Sequence, residues 1–164
     1  MGDMLTFFPT AQVGLHTAIS LLGIAAGAVA VGAMTAGRRL DGWTAVFLWA
    51  TVATSFSGFF LPAETLLPSH FLAALSLVVL AVALVARYVR RLAGGWRPAF
   101  VLSAVAALYL NVFVLIVQSF QKVPALHALA PTQSEPPFVV AQAVTLPAFV
   151  VIGIVANARF RATA

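Results

Sequence analysis

The sequence predicts an all-α integral membrane protein, a single bundle of five transmembrane helices with the N-terminus outside and the C-terminus cytoplasmic. Three observations carry this expectation. The chain has 164 residues, 62% of them hydrophobic and 8% charged, with a mean hydropathy of +1.05. A soluble domain carries about a quarter charged residues, so this chain lacks the polar surface to face water. Five apolar segments approach the ~20 residues that cross a hydrocarbon core. The nine basic residues also separate by side.

Span one runs from about 11 to 36, span two from 42 to 61, and span three from 69 to 89. Span four runs from about 98 to 120 and span five from 137 to 157. Pro9, Pro68, Pro98 and Pro137 stand at or near the starts, where a missing N–H costs nothing. Gly37 and the pair Gly94-Gly95 follow helix ends, and Pro147 inside span five should kink it. No internal repeat and no low-complexity segment interrupts this single domain.

Every arginine falls on one side of such a bundle. Arg38 and Arg39 follow span one, Arg87 lies at the inner end of span three with Arg90, Arg91 and Arg97 between spans three and four, and Arg159 and Arg161 follow span five. Lys122 stands alone on the other side, with Asp3, Glu64 and Glu135. Basic residues concentrate in cytoplasmic loops, which sets the orientation. An even number of spans would scramble the separation. The net charge of +5 and pI near 11.2 therefore point to loop topology and not to nucleic acid. The absence of cysteine excludes disulfides, thiolate metal sites and thiol catalysis. The opening MGDMLTFFPT has an acid where a cleavable signal would be basic.

Polar groups inside a membrane tend to face the bundle. On span one Gln12, His16, Ser20, Gly23 and Gly27 share a face. Its lower part, GIAAG, is a GxxxG pattern for close helix approach, within the chain or in self-association. Span two carries Thr51, Thr54, Ser55 and Gly58, with hydroxyls expected to bond their own helix. On span four Asn111, Gln118 and Lys122 share a face, and Asn111, near mid-membrane, should find a partner on another helix. Span five carries Gln142 and Thr145. His70 opens span three and His127 lies in the outer loop.

The outer half thus collects the histidines, and the predicted site there takes His16, His70, Gln118 and Gln142, with Asn111 deeper and Glu64 or Glu135 at the rim. Residues 121–136 should form an ordered lid over the outer ends of spans four and five. Pro124, Pro131, Pro136 and Pro137 stiffen it, and Leu126, Leu129 and Phe138 offer apolar anchors.

The stretch YLNVFVLIVQSFQKVPALHALAPTQSEPPF at 109–138, TSFSGFFLP at 54–62 and the placement of His16 and His70 resemble a family of small bacterial multi-span inner-membrane proteins with no established activity. The resemblance implies an inner-membrane location and no catalytic residues. The function expected is a non-catalytic membrane subunit or binding protein with a polar extracytoplasmic site beneath the 121–138 segment, taking a lipid or quinone. The alternative is a redox protein in which His16 and His70 hold haem b or a quinone head group. A zinc site from His16, His70 and Glu64 ranks well below both. Transport ranks low, because the spans hold no carboxylate or basic residue to couple ions. Hydrolysis ranks low, because Ser69-His70 and Ser134-Glu135 are adjacent pairs and not a triad.

Overall fold

The computed structural model describes residues 2–60 and 68–161, with side chains over 11–60 and 71–161. The described residues are mostly helical, joined by turns and short irregular links, with no strand among them. Helix α1 spans Gly2–Thr35, α2 Asp41–Gly58, α3 Pro68–Leu84, α4 Trp96–Lys122, α5 Pro124–Leu129 and α6 Pro136–Arg159. A wide π turn, Val85–Val89, extends α3. Among the described residues, four helical stretches are long and apolar enough to cross a membrane: Ala11–Thr35, Phe71–Val89, Trp96–Lys122 and Pro136–Arg159.

Helix α2 is not among those four. Asp41 opens it, and Thr44, Thr51, Thr54, Ser55 and Ser57 dilute its apolar character. Three of the hydroxyls face inward: Thr44, Thr51 and Ser55 are buried, whereas Trp43, Val46, Trp49 and Phe56 point out.

Helices α1 and α2 form an antiparallel hairpin with a continuous register. His16 meets Ser57, Ser20 meets Thr54, Gly23 meets Thr51 and Gly27 meets Phe47. The glycines make this approach physically accessible. A Cβ at Gly27 would lie 2.7 Å from Phe47 Cδ2 and 2.7 Å from Leu108 Cδ1, and one at Gly23 would lie 3.3 Å from Thr51 Oγ1. The GxxxG face is therefore filled by α2 and α4 of the same chain.

The core gathers Phe47 and Leu48 of α2, Leu80 and Ala83 of α3, and Phe100, Val101 and Leu108 of α4, all essentially buried. Helix α4 is central, packing against α1, α3 and α6. Helix α6 is peripheral and buries just Gly153 and Ala156 among its residues, with Val140, Val144, Val151 and Ile154 outward.

Helix boundaries differ from the sequence expectation in three places. Pro9 lies inside α1, which begins at Gly2. A proline is tolerated within a membrane helix where neighbours satisfy the freed carbonyl. Helix α4 continues to Lys122, two residues past the expected end, and residues 124–129 form their own helix, α5. Pro124 supplies a helix-ready φ at the first turn of α5. Gly37 (φ 71°) and Gly94 (φ 53°) adopt the left-handed conformation that ends helices, as their positions predict.

Candidate functional site

Two polar ends frame the apolar bundle. The first gathers the helix ends at Thr35, Asp41, Val89, Trp96 and Arg159. Asp41 accepts from Arg39 Nε (2.7 Å) and from Arg87 Nη2 (2.6 Å). The Arg87 side chain is 7% exposed and lies over the Phe100 ring, 5.6 Å from its centroid. Hydrogen bonding from Arg39 is the largest influence on Asp41; together with Arg87 it outweighs partial desolvation and holds the carboxyl below its ordinary 3.8. Arg97 Nη1 donates to the carbonyls of Asn157 and Phe160, each at 2.8 Å, satisfying the orphan acceptors at the end of α6. Arg159 Nη1 reaches the Thr35 carbonyl at 3.4 Å. This end is a structural clamp, although Asn157 Oδ1 is left buried there without a hydrogen-bond partner.

The opposite end carries the histidine. His16 Nδ1 shares a hydrogen bond with Ser57 Oγ at 2.9 Å, and Ser57 also donates to the Thr54 carbonyl at 3.1 Å. One turn towards the end, Gln12 Nε2 donates to the Phe60 carbonyl at 3.0 Å. One turn deeper, Ser20 Oγ donates to the His16 carbonyl at 2.8 Å and reaches Thr54 Oγ1 at 3.5 Å. Below these, Asn111 Nδ2 donates across to the buried Thr51 Oγ1 at 3.0 Å, the interhelical partner its depth demands. Thr51 thus accepts from another helix, where the sequence suggested a purely local bond.

Helix α4 ends at Lys122, at the same end of the bundle as His16. Gln118 lies one turn deeper on the same face. Its Oε1 is buried without a partner, and so is Gln142 Oε1, although Gln142 Nε2 reaches the Phe113 carbonyl at 3.4 Å. Among the described residues no hydrogen bond joins His16 to Gln118 or Gln142. Glu135 does not turn inward. It accepts from Thr132 N–H (3.1 Å), Thr132 Oγ1 (2.9 Å) and Ser134 N–H (3.1 Å), so it fastens its own loop. Desolvation raises the Glu135 pKa, but these bonds outweigh it and leave the carboxyl below its ordinary value. Glu64 lies outside the described residues, as does the side chain of His70, whose backbone sits in the first turn of α3.

The 123–135 segment is ordered and rests on α4. Of the two leucines expected as anchors, Leu129 is 56% exposed and Leu126 is half-buried, and the firmer anchors are other residues. They are the fully buried Ala130, the edge-on Phe120–Phe138 pair at 5.4 Å, and Gln133, whose Nε2 donates to the Val117 carbonyl at 2.9 Å. His127 is exposed on α5. Sequence reasoning did not single out Ser57, because its importance comes from the hairpin register that sets it opposite His16. No group of three or more histidine and carboxylate side chains that could hold a metal ion occurs among the described residues. No protein-family model matches the chain, nor does any curated protein or any solved structure.

Proposed function

We propose that the chain is a bacterial inner-membrane protein of five spans that acts as a non-catalytic binding subunit. Its site would lie at the histidine end, on the extracytoplasmic side, and would take a lipid-like or quinone-like molecule with a hydrogen-bonding head group. The observation that carries this reading is the pair of buried, unpartnered amide oxygens, Gln118 Oε1 and Gln142 Oε1, at the end where His16 sits. A buried acceptor without a donor costs about 1–3 kcal/mol, so a ligand hydroxyl or N–H there would be stabilising.

Counting α2 as the fifth span is supported by its register. It accompanies α1 from His16 past Gly27, so a membrane crossed by α1 is crossed by α2. Its 18 residues reach ~27 Å, close to the ~30 Å hydrocarbon thickness. The orientation follows from the arginines, all at one end, under the positive-inside rule.

The redox reading draws on one observation. The Ser57 bond engages His16 Nδ1 and fixes the ring, leaving Nε2 for a haem iron or quinone oxygen, as outer-shell bonds orient ligand histidines. Native mass spectrometry and a visible spectrum of gently extracted protein test both. Wild type should carry a small molecule that His16→Leu and Gln118→Leu lose. A haem absorption band would replace the binding reading by the redox one. Wild type that carries no small molecule would reduce the cluster to helix packing.

A further inference from the structure

Away from the histidine end, a cleft of about 260 Å³ opens between α1, α4 and α6. Ile24, Ala28, Val31 and Gly32 line it from α1, with Leu108 from α4 and Phe149 from α6. Its walls are apolar except for Thr35 at one extremity. From Ile24 to Thr35 the α1 wall extends ~16 Å at 1.5 Å per residue, about half the ~30 Å hydrocarbon thickness. The cleft therefore runs from the arginine end to mid-membrane, the depth of one leaflet.

The mouth is basic. Arg159 donates to the Thr35 carbonyl at the rim, and its own carbonyl lies 3.3 Å from where a Cβ at Gly37 would be. Arg38 is the next residue, and Arg38, Arg159 and Arg161 are all exposed. Asp41, the acid at this end, is engaged by Arg39 and Arg87. The arginines at the mouth therefore have no carboxylate of their own among the described residues. We infer that this cleft binds one acyl chain of an anionic phospholipid, with the phosphate held by Arg159 and its basic neighbours. A narrow apolar slot of one-leaflet depth under a cationic rim matches that chemistry at both ends. This site is separate from the one at the histidine end, and it requires only that the chain span a membrane.

Gly32 provides a clean test, because a Cβ there meets nothing within 4 Å. Gly32→Leu should fold, improve helix propensity and fill the slot. Native mass spectrometry from nanodiscs of mixed phosphatidylglycerol and phosphatidylcholine is the readout, with thermal melting to confirm folding. Wild type should retain phosphatidylglycerol preferentially, and Gly32→Leu should lose that retention. Arg159→Gln should weaken the preference about fivefold, the contribution of one arginine at an anionic surface. Equal retention of the two lipids by wild type, or undiminished retention by a folded Gly32→Leu, would overturn the assignment. So would inorganic phosphate raising the melting temperature as much as the lipid does, since the slot would then be idle. Loss of a dimer in Gly32→Leu, with lipid retention unchanged, would assign the cleft to a second copy instead.

Discussion

At the arginine end, charges and carbonyls are tied across helices: Asp41 joins the start of α2 to Arg87 beyond α3, Arg97 fastens α4 to the end of α6, and Arg159 reaches α1. At the histidine end bonds join α1 to α2, α4 to α2 and α6 to α4, while Gln118 of α4 and Gln142 of α6 each keep a buried amide oxygen without a donor. The first arrangement stabilises a fold. Unspent amide acceptors occur at both ends, Asn157 Oδ1 at the first and Gln118 Oε1 and Gln142 Oε1 at the second, where they come from two different helices. The difference teaches that polarity in a membrane bundle is informative only once its partners are known.

Substitutions should separate the two ends by what they change. The largest effect belongs to the hairpin that holds both in register. Gly27→Leu forces a side chain into Phe47 and Leu108, and the loss should lie towards the upper end of the roughly 1–3 kcal/mol range for overpacking. Ala25→Leu on the exposed side of α1 should leave the melting temperature in detergent nearly unchanged. Equal losses would remove the case for that close approach.

Next comes the arginine end. Arg87→Ala deletes a side chain that is 7% exposed, its bond to Asp41 and its contact with the Phe100 ring. The expected cost is about 2 kcal/mol, read as a lower thermal midpoint. At the histidine end, His16→Leu removes one interhelical bond, for which ~0.6 kcal/mol is typical in membranes. If His16→Leu destabilises more than Arg87→Ala, the division of labour between the ends is wrong.

The smallest effect is a pH dependence. Asp41 has a lowered carboxyl pKa in the fold, so its stabilisation is present above the ordinary 3.8 and is lost as pH falls through the folded value. Because its side chain is 57% exposed, the loss should be below ~1 kcal/mol. Asp41→Asn should abolish that part of the acid sensitivity.

Much of this was legible in the residues. The apolar runs marked the helices, the Gln12–Gly27 face marked the hairpin interface, and the depth of Asn111 required the partner it finds in Thr51. Other features were not, because they depend on register and on tertiary reach. Arg97 completes the end of α6 from another helix, and nothing local to 157–160 announces it. Asp41 stands among arginines and could have been matched to them by charge alone, but its choice of Arg87 follows from the packing of α2 on α3. The short helix α5 is signalled by Pro124 followed by ALHAL, but the surrounding prolines make the segment resemble a loop.

The account rests on the two ends facing two compartments. Cysteines introduced singly at Ala93 and Ala128, both exposed, test this with a membrane-impermeant maleimide applied to intact cells. Ala128→Cys should label directly, and Ala93→Cys only after permeabilisation. Labelling of Ala93→Cys in intact cells, with or without Ala128→Cys, would contradict it.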